Sequence, residues 1–399
     1  MLTNVQLERY ADVLIWALKV ARGNPLNQCE TILIQYDRPA LGLAEILYDR
    51  VLEMGMNPIQ RMGLTIVMER SFYQRSNDKQ LVFMTPGEKE FCGNLNGRIF
   101  LHAPEALTHL KEVDPAKIGK ALVARKPLRD ILNRREERGL YSWTLCTLPT
   151  DELARQAKMT HKEYAEQIIK ACYLDFDDPI SKWQTILAEV TDIKKWLNSL
   201  DIKSIHIESR SVDLTIMVGE KRKWIGISGH NIPSFEIFTS PDWRGTEGRY
   251  FANLPSFRSG KYLEGVCLTF QKGAVTKIEA EMGEDFAVKQ ISMDRGARRI
   301  GEFSLTDKRF SRIDRFMADT LFDENHGGEC GNCHIALGSS YAVTYDGNPS
   351  ELTKGIKKTM GYNDSALHWD LVNTEDKTVT ANLTTGEKIV IYEGGVFRR

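Results

Sequence analysis

The sequence has 399 residues, 42% of them hydrophobic, and its 53 Lys and Arg against 54 Asp and Glu give a net charge of −1. That balance offers no basic face for nucleic acid, and no run approaches the roughly 18 uncharged residues that a membrane span needs. A chain of this length outgrows a single hydrophobic core, so two domains are expected.

Positions 5–22 carry Val5, Leu14 and Leu18 at helical spacing, with Glu8, Arg9 and Asp12 among them. This predicts an amphipathic helix and leaves no apolar core for an export signal. Gly23, Asn24 and Pro25 break the pattern, and Thr31–Tyr36 reads as a strand. A helix over 41–54 ends at Gly55, and 58–62 reads as a second strand. A basic helical stretch follows over 117–138, then a strand from Trp143 that Pro149 stops, then helices over 160–172 and 180–199. Helix and strand in alternation predict a parallel α/β layer, so an N-terminal α/β domain is expected over 1–198. From about 200 the texture changes. Stretches 204–208, 212–218, 223–227, 266–270, 274–281 and 379–392 alternate or run apolar between turn residues. They predict an α+β domain over 199–399 with a strand-rich, mostly antiparallel core. Seven scattered cysteines, an odd number, fit free thiols in a reducing cytoplasm.

The densest chemistry lies in 320–341, TLFDENHGGECGNCHIALGSSY, which reads as a glycine-broken loop. Cys330-Gly331-Asn332-Cys333-His334 has the form of a c-type haem attachment string. Such attachment happens outside the cytosol, and the expected lack of an export signal weighs against it. A structural zinc at Cys330 and Cys333 needs four ligands, and the sequence offers no second CxxC or HxxxH. The two are therefore read as free thiols of a tight loop, and His334 as a metal ligand working with acids elsewhere.

Glu236, Glu302, His368 and Asp370 are the partners to weigh. Each sits beside glycine, asparagine, proline or a strand end, where functional side chains converge. His368-Trp369-Asp370 puts two ligand types at i and i+2, on one face of an extended strand. Carboxylates and neutral imidazoles suit Zn²⁺, Co²⁺ or Mn²⁺. Two such ions bridged by a carboxylate make water nucleophilic near neutral pH. An isolated HxD more often marks a solvated or hydrogen-bonded pair, and Glu302 alone fits a surface acid equally well. Glu236, flanked by Phe235, Ile237 and Phe238, is costly to bury bare, which favours a paired or metal-bound carboxylate.

In chain order, Val212-Asp213-Leu214, the segment Asn231 to Pro241 (NIPSFEIFTSP), Gly301-Glu302, Thr320 to Asn325 (TLFDEN), His334 to Gly338 (HIALG) with Tyr341, and His368-Trp369-Asp370 resemble the aminopeptidase T/aminopeptidase S family of dinuclear metallopeptidases. Weaker agreement at Tyr10-Ala11, Leu148-Pro149-Thr150 and Asp178-Pro179-Ile180 with Trp183 extends the resemblance over most of the chain. It implies an exopeptidase that releases N-terminal residues from peptides with a free N-terminus. It further implies two divalent ions per chain (Zn, Co, Mn or Mg), a cytoplasmic homodimer, and no nucleic acid or membrane partner. Carried over residue by residue, Glu236, Glu302, Glu324, His334, His368 and Asp370 are the implied metal ligands. Glu302 and Tyr341 are the implied catalytic residues, Glu302 being the first choice for the bridging carboxylate and Asp370 the second. The chain departs from the family pattern at Phe235, at Leu371-Val372-Asn373 and in a longer run between Asn325 and His334, which leaves Glu324 and Glu329 both open. A dinuclear hydrolase acting on another amide, a catalytically inactive relative and a redox protein using Cys330 and Cys333 are the alternatives.

Overall fold

The structure is a computed structural model that describes residues 2–399. Contacts divide the chain into two units, one running up to Thr185 and joined by Ile227–Ser234, the other made of Ile186–Gly226 and Phe235–Arg399. The division falls within the helix Pro179–Ser199, ahead of the 198/199 boundary expected from texture.

In the first unit the helix Asn4–Arg22 starts at a capping box formed by Thr3 and Gln6 and stops at Gly23 in the left-handed region. It buries Tyr10, Leu14 and Leu18. Strands Asn57–Met62, Thr31–Tyr36, Gly97–His102 and Ser142–Thr147 pair in that spatial order, all parallel, and the short strand Asn231–Ile232 adds to the last. Helices are the natural crossovers of a parallel sheet, and Leu41–Glu53 and Pro115–Glu137 are two of them. The strand Gly97–His102 lies outside every stretch expected from the sequence. It alternates buried Ile99 and Leu101 with half-buried Arg98 and Phe100, a pattern too short to stand out among the small helices Ile66–Arg75 and Glu88–Asn94.

The second unit holds two large antiparallel sheets and a two-stranded ribbon, Ser256–Arg258 with Lys261–Leu263. The larger runs Ala274–Glu279, Val266–Gln271, Asp242–Ala252, Asp213–Met217, Ile202–Ser209, Lys377–Leu383, Lys388–Glu393 and Val396–Phe397 in spatial order. The stretch expected over 379–392 is thus a hairpin with its turn at 384–387. The smaller sheet runs His368–Asn373, Asn332–Gly338, Ile300–Thr306, Glu236–Thr239 and Ile225–Gly226. One of these strands, Asn332–Gly338, lies in the segment that reads as a loop in the sequence. In the segment read as one loop, Thr320–Asp323 is a helical turn and Asn332–Gly338 a strand buried at every position. The Tyr250 hydroxyl, from the larger sheet, donates to the Leu371 carbonyl at 2.8 Å. That bond ties the two sheets together where the His368 strand runs.

Candidate metal centre

Directly opposed residues of an antiparallel pair project to the same face, so register alone places the ligands. Glu302 lies opposite Ala336, and Ala336 opposite Asp370. His334 lies opposite Ser304, and Ser304 opposite Phe238. Glu236 lies opposite Thr306, and His368 opposite Gly338. Glu236, Glu302, His334, His368 and Asp370 therefore share one face of one sheet. The small residues Ala336 and Gly338 keep the middle of that face open. A register shift at Gly301 bulges the Glu302 strand. A β-carbon on Gly301 would come within 2.4 Å of the Ser339 carbonyl oxygen, so only glycine permits the bulge that precedes the ligand.

Glu324 reaches the same place from the end of the Thr320–Asp323 turn. Ligand atoms of Glu236, Glu302 and His334 lie within 4.8 Å of one another, as do those of Glu324, His334 and Asp370. His334 Nε2 is 3.3 Å from Glu236 and 3.4 Å from Glu302. His368 Nε2 is 3.3 Å from Asp370 and 3.6 Å from Glu302. All six ligand-type residues implied by the resemblance thus converge. Glu324 is buried while Glu329 is exposed, so of those two only Glu324 faces the cluster. Cys333 is buried in its strand and Cys330 half-buried, both with free thiols. Phe235 is fully buried, and its backbone N–H donates to Asn325 Oδ1 at 2.6 Å.

Burial, reinforced by Glu236, pushes the Glu302 carboxyl up to about 7 even though His334 hydrogen-bonds to it. Burial, Glu236 and Asp370 push Glu324 well above the usual carboxylate range. Burial alone would lower His368, but Asp370 and Glu302 lift it to about 9. Burial alone would raise Asp370, but His368 holds it at about 2. Burial would also lower His334, yet its hydrogen bonds to Glu236 and Glu302 hold it well above an ordinary imidazole. Three buried carboxylates and the half-buried Asp370 against two imidazoles leave a shortage of positive charge, which is expensive out of water. Divalent cations supply what is short, and oxygen with imidazole nitrogen is the ligand set they take. His368 Nδ1 donates to the Ser339 carbonyl at 3.2 Å, which turns Nε2 toward the carboxylates and fixes the ring plane as metal-bound imidazoles require. The residues fit a metal group.

Tyr341, 37% exposed as a residue, turns its hydroxyl to within 3.4 Å of His368 Nε2. Its backbone N–H donates to Ser240 Oγ at 2.9 Å, and its ring meets His368 and Phe238 edge-on. Desolvation and the charges of Glu302 and Asp370 push its phenol well up, so the hydroxyl stays a donor.

Two supporting residues were missed in sequence. Ser304 Oγ donates to Glu236 at 3.3 Å, and its position two residues after Glu302 on a strand was the available signal. Asn325 is wholly buried. It accepts from Phe235 N–H and donates to the Leu321 carbonyl at 2.9 Å, locking the Glu236 approach to the Glu324 turn. Its place beside Glu324 was visible, but not this role.

A family model described as thermophilic metalloprotease (M29) matches residues 3–397. Among curated proteins, the chain is 30% identical over 243 residues to aminopeptidase T of Thermus aquaticus, covering 58% of this chain and 57% of that one. It is 29% identical over 242 residues to aminopeptidase AmpS of Bacillus subtilis, covering 58% of each. The match to aminopeptidase PepS of Streptococcus thermophilus is 24% identical and covers 98% of this chain and 97% of that one. The first two matches thus span little more than half the length of those relatives. Among solved structures, wild-type AmpT from Thermus thermophilus superposes with a TM-score of 0.79 at 21% identity, covering 99% of each chain, which supports a shared fold. Among the described residues, no helix is long and apolar enough to cross a membrane.

Proposed function

Because this chain belongs to the thermophilic metalloprotease (M29) family, we propose that it is a metal-dependent aminopeptidase, releasing N-terminal residues from peptides with a free N-terminus. The observation that carries the reading is the convergence of Glu236, Glu302, Glu324, His334, His368 and Asp370 on one buried face. These six would hold two divalent ions in the C-terminal unit, and zinc, cobalt, manganese and magnesium all suit some of the donors. Bound there, the ions would polarise the scissile carbonyl and lower the pKa of water.

The remaining chemistry falls to side chains. Glu302 or Glu324, whichever keeps a carboxylate oxygen free of the ions, is suited to carry a proton from the attacking water to the leaving amine. Tyr341 donates from its hydroxyl to the developing oxyanion, a contribution of about 2–4 kcal/mol. Ser304 and the Ser339 carbonyl hold Glu236 and His368 in orientation. A cytoplasmic homodimer, in which residues 199–399 form the catalytic domain and 1–198 an α/β domain, completes the proposal.

The test is a panel of aminoacyl chromogenic amides presented to metal-loaded protein. Free-amine substrates should be cleaved and N-acetylated ones left intact, with activity lost on chelation and restored by Co²⁺ or Zn²⁺. Cleavage that survives exhaustive chelation, or Glu302→Gln working at the wild-type rate, overturns the reading.

A further inference from the structure

A small cavity of about 10 Å³ adjoins Asp370 and is walled by Ser256, Phe257, Ala318, Asp319 and Asp323 as well. It has room for one water-sized group. Asp319 spends Oδ1 on the Leu321 N–H at 3.1 Å, capping the short turn that leads to Glu324. Its Oδ2 is buried and has no partner, and so is Ser256 Oγ. Asp323, 4% exposed, accepts from the Met317 N–H at 2.7 Å and the Asp319 N–H at 3.0 Å, which fixes the backbone that presents Asp319. Between them Ala318 holds φ at 52°, a left-handed conformation that residues with a β-carbon adopt only where surrounding structure imposes it.

A carboxylate oxygen can only accept, and leaving it buried without a donor is costly. We propose that Asp319 Oδ2, with Ser256 Oγ, receives the α-ammonium of the substrate's first residue. The proposal rests on the aminopeptidase reading above. An ammonium head is close to water in size, carries three donors and a positive charge, and matches two acceptors of which one is anionic. The α-nitrogen lies two bonds from the scissile carbonyl carbon, so its acceptor must adjoin the ions, and Asp370 forms both the cavity wall and part of the candidate ligand set. An acetylated amine has one donor and no charge, so it lacks what an anionic acceptor pairs with.

The decisive variant is Asp319→Asn in metal-loaded protein, because asparagine keeps the helix cap and the size while removing the charge. Two readouts are taken: KM for a free-amine leucyl amide, and the preference, in competitive inhibition, for leucine over its desamino analogue, 4-methylpentanoate. A rise in KM of about tenfold or more with collapse of that preference is expected, with Ser256→Ala shifting both in the same direction by less. Unchanged KM and preference, or an equal loss of affinity for both inhibitors, overturns the proposal while the aminopeptidase reading stands. A wild type that cleaves no free-amine amide overturns both. Should Asp319→Asn not fold, Ser256→Ala decides by the same preference.

Discussion

Glu324→Gln should stabilise the metal-free protein and weaken the metal-loaded one. Glu324 has a ligand atom within 4.8 Å of both Asp370 and His334. Two full negative charges at that distance, at an effective dielectric near 20, repel by about 3.5 kcal/mol. Burial and the neighbouring Glu236 add to this cost, and His334 offsets part of it. The sign follows from linkage. A carboxyl whose folded pKa is raised favours the fold below its unfolded pKa and loses that contribution as pH rises toward the folded value. At pH 8 the native carboxylate therefore costs the metal-free fold stability that glutamine does not. Metal binding reverses this, because the cations need the charge. Thermal unfolding at pH 8 should show the variant melting several degrees higher than wild type in excess chelator, and gaining less than wild type from added Zn²⁺ or Co²⁺. A variant that melts lower in chelator and gains as much from metal refutes the electrostatic account. Glu329→Gln, on an exposed side chain, serves as the silent control.

If its hydroxyl serves the developing oxyanion as proposed, Tyr341→Phe should lower kcat by about 10²–10³ with little change in KM; steady-state kinetics on a chromogenic amide reads this directly. Asn325→Ala strands the buried Phe235 N–H and the Leu321 carbonyl, a loss of roughly 2–4 kcal/mol in denaturant unfolding. Glu375 accepts from Ser209, Ser211 and Asn373. Burial would raise it, but those hydrogen bonds hold it at about 2. Its stabilising contribution is present above the ordinary glutamate pKa and disappears as pH falls from about 4.5 toward 2. Glu375→Gln should therefore flatten the loss of stability across that window, with a difference of at most about 3 kcal/mol at neutral pH.

The legible part of the site was its one-dimensional pattern. His368 and Asp370 two apart on a strand, Glu236 among aromatic and aliphatic residues, and Gly301 before Glu302 each carry a local physical reason that survives into three dimensions. The hidden part is what both-face burial conceals. Ile300–Thr306 and Asn332–Gly338 are buried at every position, so neither alternates, and the acid, histidine and glycines within them mimic loop composition. Which of Glu324 and Glu329 turns inward depends on a helical turn and the Asn325 clamp, long-range features that spacing does not encode. The strand Gly97–His102 went unseen because its alternation is brief and its flanks are polar.

Ala336 occupies the row between Glu302 and Asp370, and its single methyl is the floor on which the cations would rest. The span of the centre is thus set by a residue that binds nothing. Each added carbon there would shorten the reach of one wall toward the other, leaving every donor in place and nowhere for them to meet a common guest. Room for a metal centre in this scaffold is guarded as much by smallness at one inert position as by the acids and imidazoles around it.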